Sequence, residues 1–224
     1  MSLHPVIAVD GTAASGKSTF SRELARRLGF AYVNTGAMYR GVTWWLQEKG
    51  VALEDFAAVA RGIQEAPMET RLDDQGEFIF LIAGVDPLPH LREGRVNSGV
   101  SLVAQVPLVR SLLVAEQQQL GQKSPLVMEG RDIGSVVFPE TPYKFYIDAS
   151  PEIRAQRRQQ QGETDVIQQR DKLDSQRTTS PLLRPAHSLF LDSGAHSVEE
   201  LVTMALASLA QKGLVAAQNF SRPL

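Results

Sequence analysis

The stretch VIAVDGTAASGKSTF, from Val6 to Phe20, is the most informative part of the sequence. It begins with a run of small apolar residues, which is typical of a buried strand. Its glycine-rich centre matches the pattern G-x-x-x-x-G-K-[ST], and a helical pattern follows in which Phe20, Leu24 and Leu28 share one face. A strand, a glycine-rich loop and a helix in this order predict a P-loop, which binds a polyphosphate.

The loop from Gly11 to Ser18 carries the groups that phosphate binding requires. Backbone N–H groups of such a loop point inward, and the helix that follows adds its positive N-terminal dipole. The Lys17 ammonium can reach the β and γ phosphates, and the Ser18 hydroxyl can bind Mg²⁺ together with phosphate oxygens and water. The predicted ATP- and Mg²⁺-binding residues are Gly11, Thr12, Ala13, Ala14, Ser15, Gly16, Lys17, Ser18 and Thr19.

The whole chain has 224 residues, a formal net charge of −2 and no cysteine. The length suits one α/β domain, and the charge provides no basic field for nucleic acid or an anionic membrane. The lack of cysteine excludes disulfides and thiolate metal sites. The N-terminus lacks the features of a secretory signal, and no apolar run reaches the ~18 residues of a membrane span. We expect a cytoplasmic monomer with no nucleic-acid polymer and no membrane as partner.

Strand and helix patterns alternate along most of the chain. Besides Val6–Asp10, buried-strand patterns lie at Ala31–Val33 and in PLVME, KFYIDAS and LFLDSG. Helical patterns lie at Ser18–Leu28, Ala37–Lys49, Arg95–Gln105, Pro107–Leu120, Ser150–Gln161, Asp165–Arg177 and Val198–Lys212. This alternation predicts a mostly parallel sheet with its functional site at the carboxyl ends of the strands. Between about Met68 and Leu91, two short strands around an Asp/Gly turn predict an inserted hairpin.

A P-loop alone does not distinguish a GTPase, a motor, a transporter ATPase and a small-molecule kinase. The chain has no N-K-x-D motif for guanine and no L-S-G-G-Q-like transporter signature. It has instead arginine-bearing blocks behind the P-loop, which are NTGAMYRG (34–41), VSLVAQVPLVR (100–110), MEGRDIGSVVFP (128–139) and QQRDKLDSQRTTSPL (168–182). Several arginines converging with a P-loop lysine are what two polyanions brought together for phosphoryl transfer require.

These blocks, in this order, resemble the bacterial cytidylate kinases (CMP/dCMP kinases), which are P-loop nucleoside monophosphate kinases. The resemblance runs from about Val6 to Lys212, and GRDIGSVVFP and TGAMYR are its most specific blocks. It implies an α/β fold with a five-stranded parallel sheet flanked by helices, a small β-containing insert that binds the nucleoside monophosphate, and a short lid. The implied reaction is transfer of a phosphoryl group from ATP to CMP or dCMP with Mg²⁺.

The resemblance also implies how the chain is divided. Residues 1–224 would form one kinase domain, with core segments at 1–63, 106–153 and 179–224. The insert would span about 64–105 and the lid about 154–178.

Residue roles follow from the same resemblance. Arg40 and Arg131 would grip the acceptor phosphate, and Arg170, Asp174 and Arg177 would contact the acceptor ribose and the phosphates from the lid side. The predicted CMP-binding residues are Thr35, Arg40, Ser101, Arg110, Arg131, Asp132, Arg170, Asp174 and Arg177. The predicted catalytic residues are Lys17, Arg131, Arg157 and Arg170, with Arg154 and Arg158 beside Arg157 along the lid.

The three residues assigned to the cytosine edge have suitable chemistry. Asp132 can accept a hydrogen bond from the N4 amino group, while Arg110 and Ser101 can donate to N3 and O2. Uracil has a carbonyl at position 4, so it would leave the carboxylate facing an acceptor, and such mismatches discriminate strongly. CMP and dCMP are therefore favoured over UMP.

Some positions depart from the family pattern, and alternatives stay open. Thr12 stands where proline is common, Thr35 where serine is frequent, and Leu173 where some relatives have arginine. Glu129 stands where aspartate is common, and it could reach Mg²⁺ through water. The arginines could instead form surface salt bridges, and Asp174 could pair with Arg170. The rival functions are a kinase for UMP, AMP or shikimate, and a module that binds ATP without transferring phosphate.

Overall fold

The computed structural model describes residues 4–160, 171–174 and 182–214. Its main sheet has five parallel strands, as predicted, and their order is β2-β5-β1-β6-β7. These strands are β1 (Val6–Gly11), β2 (Ala31–Asn34), β5 (Leu126–Gly130), β6 (Lys144–Asp148) and β7 (Leu189–Asp192). Strand β1 is central and lies between β5 and β6. The loop that follows β1 is therefore at the point where the strand order reverses, and α/β sheets bind ligands at such points.

Helices cover both faces of this sheet. They are α1 (Lys17–Leu28), α2 (Thr35–Glu48), α3 (Phe56–Gln64), α4 (Gly94–Val103), α5 (Pro107–Lys123), α6 (Pro151–Gln160) and α7 (Val198–Gln211). A short 3₁₀ helix spans Leu88–His90, and a π-helical turn spans Ile133–Val137. Within the described ranges no single helix is long and apolar enough to span a membrane, and α4 and α5 would meet that requirement only as a pair bent by 97°.

Alternate residues of β1 enter two hydrophobic cores. Val6 and Ala8 pack with α2, α4 and α5, whereas Ile7 and Val9 pack with α1 and α7. All four are at most 3% exposed. Successive side chains of a strand point to opposite faces of the sheet. A strand whose two faces are both buried therefore has a continuous apolar sequence.

The predicted hairpin is present as β3 (Met68–Leu72) and β4 (Phe78–Ile82), which pair antiparallel as a separate two-stranded sheet. Phe80 and Ile82 are buried in the core formed by α2, α4 and α5. The turn meets the edge of the main sheet, where the Tyr32 N–H donates to the Gly76 carbonyl at 2.9 Å. The hairpin thereby forms one wall of the space above β2.

The structure shows why the sequence pattern misplaces the start of α2 and misses α3. Helix α2 begins at Thr35 and not at Ala37, because the Asn34 side chain caps it by accepting from the Ala37 N–H at 3.0 Å. Helix α3 was not predicted, although Asp55 caps it and Val59 and Ile63 are buried four residues apart on one face. The predicted helix Asp165–Arg177 lies outside the described residues, apart from residues 171–174, which are helical.

Candidate active site

The P-loop is shaped by close backbone packing where it leaves β1. Gly11 has φ 153°, and a Cβ there would stand 1.9 Å from the Ile147 carbonyl oxygen of β6. Gly16 has φ 84° and lies directly before α1, so the chain enters the helix through a left-handed residue. This geometry turns the loop back over the N-terminus of α1, as a phosphate cradle requires.

Lys17 lies buried at the mouth of this loop. Its Nζ donates to the Thr12 carbonyl at 2.5 Å and lies 3.4 Å from Ser15 Oγ. The ammonium is thus held against the P-loop, where the sequence motif predicts that it binds phosphate.

One cleft of about 850 Å³ joins the P-loop to the predicted acceptor residues. The predicted site residues that line it are Ala13, Ala14, Ser15, Gly16, Lys17, Ser18, Thr19, Thr35, Arg40, Ser101, Arg110, Arg131, Asp132, Arg157 and Asp174. Gly11 and Thr12 belong to the loop but do not line this cleft, and Arg170 and Arg177 are outside the described residues. The fold therefore brings residues from distant blocks of sequence to one site.

Arg110 and Asp132 form a buried ion pair on one wall of the cleft. Arg110 Nη2 binds Asp132 Oδ2, and the two side chains are only 5% and 6% exposed. Arg110 Nη1 donates to the Ala104 carbonyl at 3.4 Å, while Arg110 Nε meets no acceptor among the described residues. Ser101 is 4% exposed and lines the same cleft. This wall therefore combines a carboxylate, a guanidinium and a hydroxyl that are all nearly fully buried.

Arg131, a predicted acceptor residue, links Asp174 to the P-loop. Its Nε donates to Asp174 Oδ2 at 2.8 Å, and its Nη1 donates to the Gly11 carbonyl at 2.7 Å. Burial opposes the charge, but Asp174 and other carboxylates outweigh burial and raise the pKa of Arg131 above its ordinary value. The guanidinium is therefore held charged beside the loop that carries Lys17.

Arg40 lies on the same side, one turn into α2. A Cβ on Gly36 would stand 3.2 Å from Arg40 Nη1, so the glycine lets the guanidinium fold over the first turn of the helix. A guanidinium and a helix N-terminus both favour an anion.

Thr35, Glu129 and Ser18 meet where β2 and β5 end. The Thr35 hydroxyl donates to the Glu129 backbone carbonyl at 2.7 Å, and the Tyr32 hydroxyl donates to Glu129 Oε1 at 2.6 Å. The Ser18 hydroxyl contacts the same phenol, and burial raises the pKa of Tyr32. A carboxylate and a hydroxyl thus lie together beside the P-loop.

The three lid-side arginines have different surroundings. Arg157 donates to Ser193 Oγ at 2.9 Å and to the Ser193 carbonyl at 2.6 Å, and Ser193 Oγ donates to the Ser15 carbonyl at 2.7 Å. Arg158 also lines the cleft. Arg154 is buried instead, with bonds to the Ala13 and Ala149 carbonyls.

Sequence reasoning missed Asp10, which is fully buried at the end of β1. Its carboxylate accepts from the Ile133 N–H at 2.6 Å and from the Gly134 N–H at 2.8 Å, linking β1 to the turn that follows Arg131 and Asp132. Burial raises the pKa of Asp10 from 3.8 to about 7. The sequence did offer a signal for Asp10, because a carboxylate stands at the end of an apolar strand, directly before Gly11 of the loop.

Sequence reasoning also missed Ser193, Asp148 and Asp171. Ser193 and Asp148 stand at the carboxyl ends of β7 and β6, the edge where such a sheet places its functional residues. Asp171 is the first aspartate of the pattern R-D-x-x-D-x-x-R at 170–177, in which only Arg170, Asp174 and Arg177 were assigned roles.

Comparison with known proteins gives consistent matches over most of the chain. Residues 7–211 match the family model described as cytidylate kinase. A cytidylate kinase from Pelotomaculum thermopropionicum is 38% identical over 218 residues, which cover 92% of this chain and 96% of that protein. A cytidylate kinase from Bacillus licheniformis is 38% identical over 217 residues, with coverages of 92% and 96%.

A longer relative carries a similar sequence as part of a larger protein. The bifunctional pantoate ligase/cytidylate kinase of Synechococcus sp. strain WH7803 is 38% identical over 214 residues, which cover 90% of this chain and 44% of that protein. The family model and these relatives agree with the shared cleft and its arginines: the chain belongs to the cytidylate kinase family.

Proposed function

We propose that this protein transfers the γ-phosphoryl group of ATP to CMP and dCMP, producing ADP with CDP or dCDP. The observation that carries the proposal is the single cleft that holds both the P-loop and the wall formed by Arg110, Asp132 and Ser101. A protein that only binds ATP needs no second polar wall and no further arginines facing the loop. We propose that it works as a monomer in the cytoplasm, with no nucleic-acid polymer or membrane as partner.

On the donor side, the P-loop amides and the dipole of α1 bind the phosphates of ATP. Lys17 neutralises charge that builds up on the transferring group, and Arg157 enters the cleft from α6. Ser193 holds Arg157 against the loop, since one hydroxyl accepts from Arg157 and donates to the Ser15 carbonyl. The donor phosphates are thus surrounded by fixed positive groups before reaction.

On the acceptor side, Arg40 and Arg131 bind the phosphate of CMP, and Asp174 keeps the Arg131 guanidinium in place. One phosphate oxygen of CMP attacks the γ phosphorus while the bond to the β-phosphate oxygen of ATP breaks, leaving ADP. That oxygen is already anionic, so no side chain has to remove a proton. Positioning and charge neutralisation provide the rate enhancement.

Arg110, Asp132 and Ser101 recognise the base. The Asp132 carboxylate accepts from the cytosine amino group, and the Arg110 guanidinium and Ser101 hydroxyl donate to the ring acceptors. The Arg110 Nε donor that lacks an acceptor within the described residues supports this assignment, because a buried donor without a partner is costly. Thr35 keeps α2 attached to β5 and so supports the same wall.

The described residues fit Mg²⁺ held largely by the nucleotide. They contain no group of three His, Cys, Asp or Glu side chains arranged for a metal. Mg²⁺ commonly keeps several waters and binds through one or two protein oxygens and phosphates. Ser18 would hold it directly and Glu129 through water, and the bound ion would neutralise charge on the phosphates.

We propose the division into core, insert and lid that the sequence predicts. The separate sheet of β3 and β4 supports an insert at about 64–105. Residues 154–178 would form the lid and exclude water, which otherwise hydrolyses ATP.

The test is a steady-state assay of ADP formation with CMP, dCMP, UMP and AMP as acceptors. We expect kcat/KM to be highest for CMP and dCMP, and Asp132→Asn to reduce the preference for CMP over UMP by about tenfold or more. Asparagine has nearly the same shape, so it avoids leaving Arg110 beside a cavity. A higher kcat/KM for UMP than for CMP would refute the base assignment.

A further inference from the structure

The backbone of Ala13 in the P-loop is hydrogen-bonded at both its N–H and its carbonyl by the ion pair Arg154–Asp171, which lies outside the loop. The Ala13 N–H donates to Asp171 Oδ1 at 3.1 Å, and the Ala13 carbonyl accepts from Arg154 Nη1 at 3.3 Å. Arg154 Nη1 also binds Asp171 Oδ2. The Arg154 and Asp171 side chains are 8% and 15% exposed, so solvent screens this pair little.

The Arg154 end of this pair is anchored to the main sheet. Arg154 Nε donates to the Ala149 carbonyl at 3.1 Å and lies 3.6 Å from Asp148 Oδ1. That same carboxylate oxygen accepts from Thr12 Oγ1 at 2.5 Å. Thr12 and Ala13 are therefore both fixed to the carboxyl end of β6 and to α6.

The Asp171 end leads to the acceptor side of the cleft. Asp174 lies three residues further along the same helical segment, a spacing that places two side chains on one face. Its Oδ2 accepts from Arg131 Nε at 2.8 Å. One helical turn thus carries two carboxylates: Asp171 accepts a hydrogen bond from the P-loop, and Asp174 accepts one from Arg131.

We propose that Asp171 is a positioning residue that fixes the Arg131–Asp174 pair relative to the P-loop, with Arg154 as its anchor. Asp171 contacts no reacting atom in this account. It sets the distance between the loop that holds ATP and the guanidinium that holds the acceptor phosphate, and in-line transfer is sensitive to that distance. This inference rests on the proposed function, because it assigns Arg131 to the phosphate of CMP.

The test compares Asp171→Asn with Lys172→Gln, which removes a charge from an exposed position on the same turn. Asparagine keeps the shape of Asp171 but removes the charge that balances Arg154. We expect KM for CMP to rise about tenfold and kcat to fall about tenfold, while the Kd for ATP measured without CMP changes less than about threefold. A merely structural defect would lower the active fraction and leave KM for CMP unchanged.

Arg154→Lys provides a second variant. Lysine keeps the positive charge but lacks the planar fork that binds Ala13, Ala149 and Asp171 together, so we expect the same pattern of changes at smaller size. If Asp171→Asn does not fold, this variant decides the question. Values of kcat and KM for CMP within about twofold of Lys172→Gln would overturn the proposal.

Hydrogen exchange separates this inference from the proposed function. In Asp171→Asn without nucleotide, the Ala13 amide should exchange about tenfold faster than in the Lys172→Gln protein. If the wild-type protein does not phosphorylate CMP, the proposed function is wrong. The exchange rate of the Ala13 amide then still tests whether Asp171 holds the loop. Equal exchange in the two variants would overturn it.

Discussion

At the scale of single residues, Lys17 is the cation that the P-loop itself carries, with its Nζ held at the Thr12 carbonyl. Lys17→Ala should reduce kcat by about 10³-fold, because a preorganised cation at the transferring phosphate is lost. The ADP-coupled assay measures this change. The exposed Lys123→Ala on α5 serves as the control and should keep wild-type activity. A Lys17→Ala protein with more than a tenth of wild-type kcat would exclude this role.

In the proposed mechanism Arg131 binds the acceptor phosphate, so its loss should affect transfer more than ATP binding. Arg131→Ala removes the guanidinium beside the acceptor phosphate and leaves Asp174 with one partner fewer. We expect kcat to fall about 10²-fold or more, with the Kd for ATP, measured by calorimetry, changed only a few fold. The exposed Arg26→Ala on α1 is the matched control. A normal kcat in Arg131→Ala would remove Arg131 from the site.

Asp10 predicts a pH dependence of stability. Its folded-state pKa is raised, chiefly by burial, from 3.8 to about 7, so folding favours the protonated acid. This contribution is fully present below pH 3.8 and is lost as the pH rises through about 7. Between about pH 5.5 and pH 8, the wild type should lose on the order of 2 kcal/mol of unfolding free energy relative to Asp10→Asn.

Urea unfolding of the two proteins across this pH range provides the measurement. The asparagine side chain in the Asp10→Asn protein does not titrate, so the difference between the two curves isolates the Asp10 carboxyl group. Curves that stay parallel from about pH 5.5 to pH 8 would show that Asp10 ionises normally in the folded protein.

At the scale of elements, the approach of the P-loop to β6 depends on Gly11. A Cβ at this position would stand 1.9 Å from the Ile147 carbonyl oxygen, and φ is 153°. Gly11→Ala should therefore push the loop from the sheet and cost roughly 3 kcal/mol or more of stability. Thermal unfolding measures the loss. Gly94→Ala is the control, because a Cβ there meets no atom within 4 Å. Equal melting temperatures for the two variants would contradict this packing.

Sequence periodicity predicts the elements that bury an unbroken apolar face. The five strands of the main sheet were found in this way, as was α1, whose Gly29 end signal is a left-handed cap. The hairpin was predicted instead from two short strands around an Asp/Gly turn. The exact start of α2 depends on the Asn34 side chain, and α3 depends on the Asp55 cap with only two buried side chains. The apolar face of α3 extends over only nine residues, and a side-chain cap moves the start of a helix without changing its apolar pattern.

At the scale of the whole molecule, the site divides into a local part and a long-range part. The P-loop is contiguous in sequence, so its motif predicts its geometry. The Ala13–Asp171 and Asp10–Gly134 bonds join residues 158 and 124 positions apart, and only the fold brings them together. The acceptor roles came from a resemblance between motif blocks, and they stay predictions until the variants are measured.

We propose that one cleft holds two nucleotides and that a phosphoryl group passes directly between them. The most direct measurement is ³¹P NMR of the protein with ATP, Mg²⁺ and CMP. We predict that the signals of ADP and CDP grow in equal amounts, and that little ADP appears when CMP is left out. ADP accompanied by inorganic phosphate, or formed equally fast without CMP, would contradict the account.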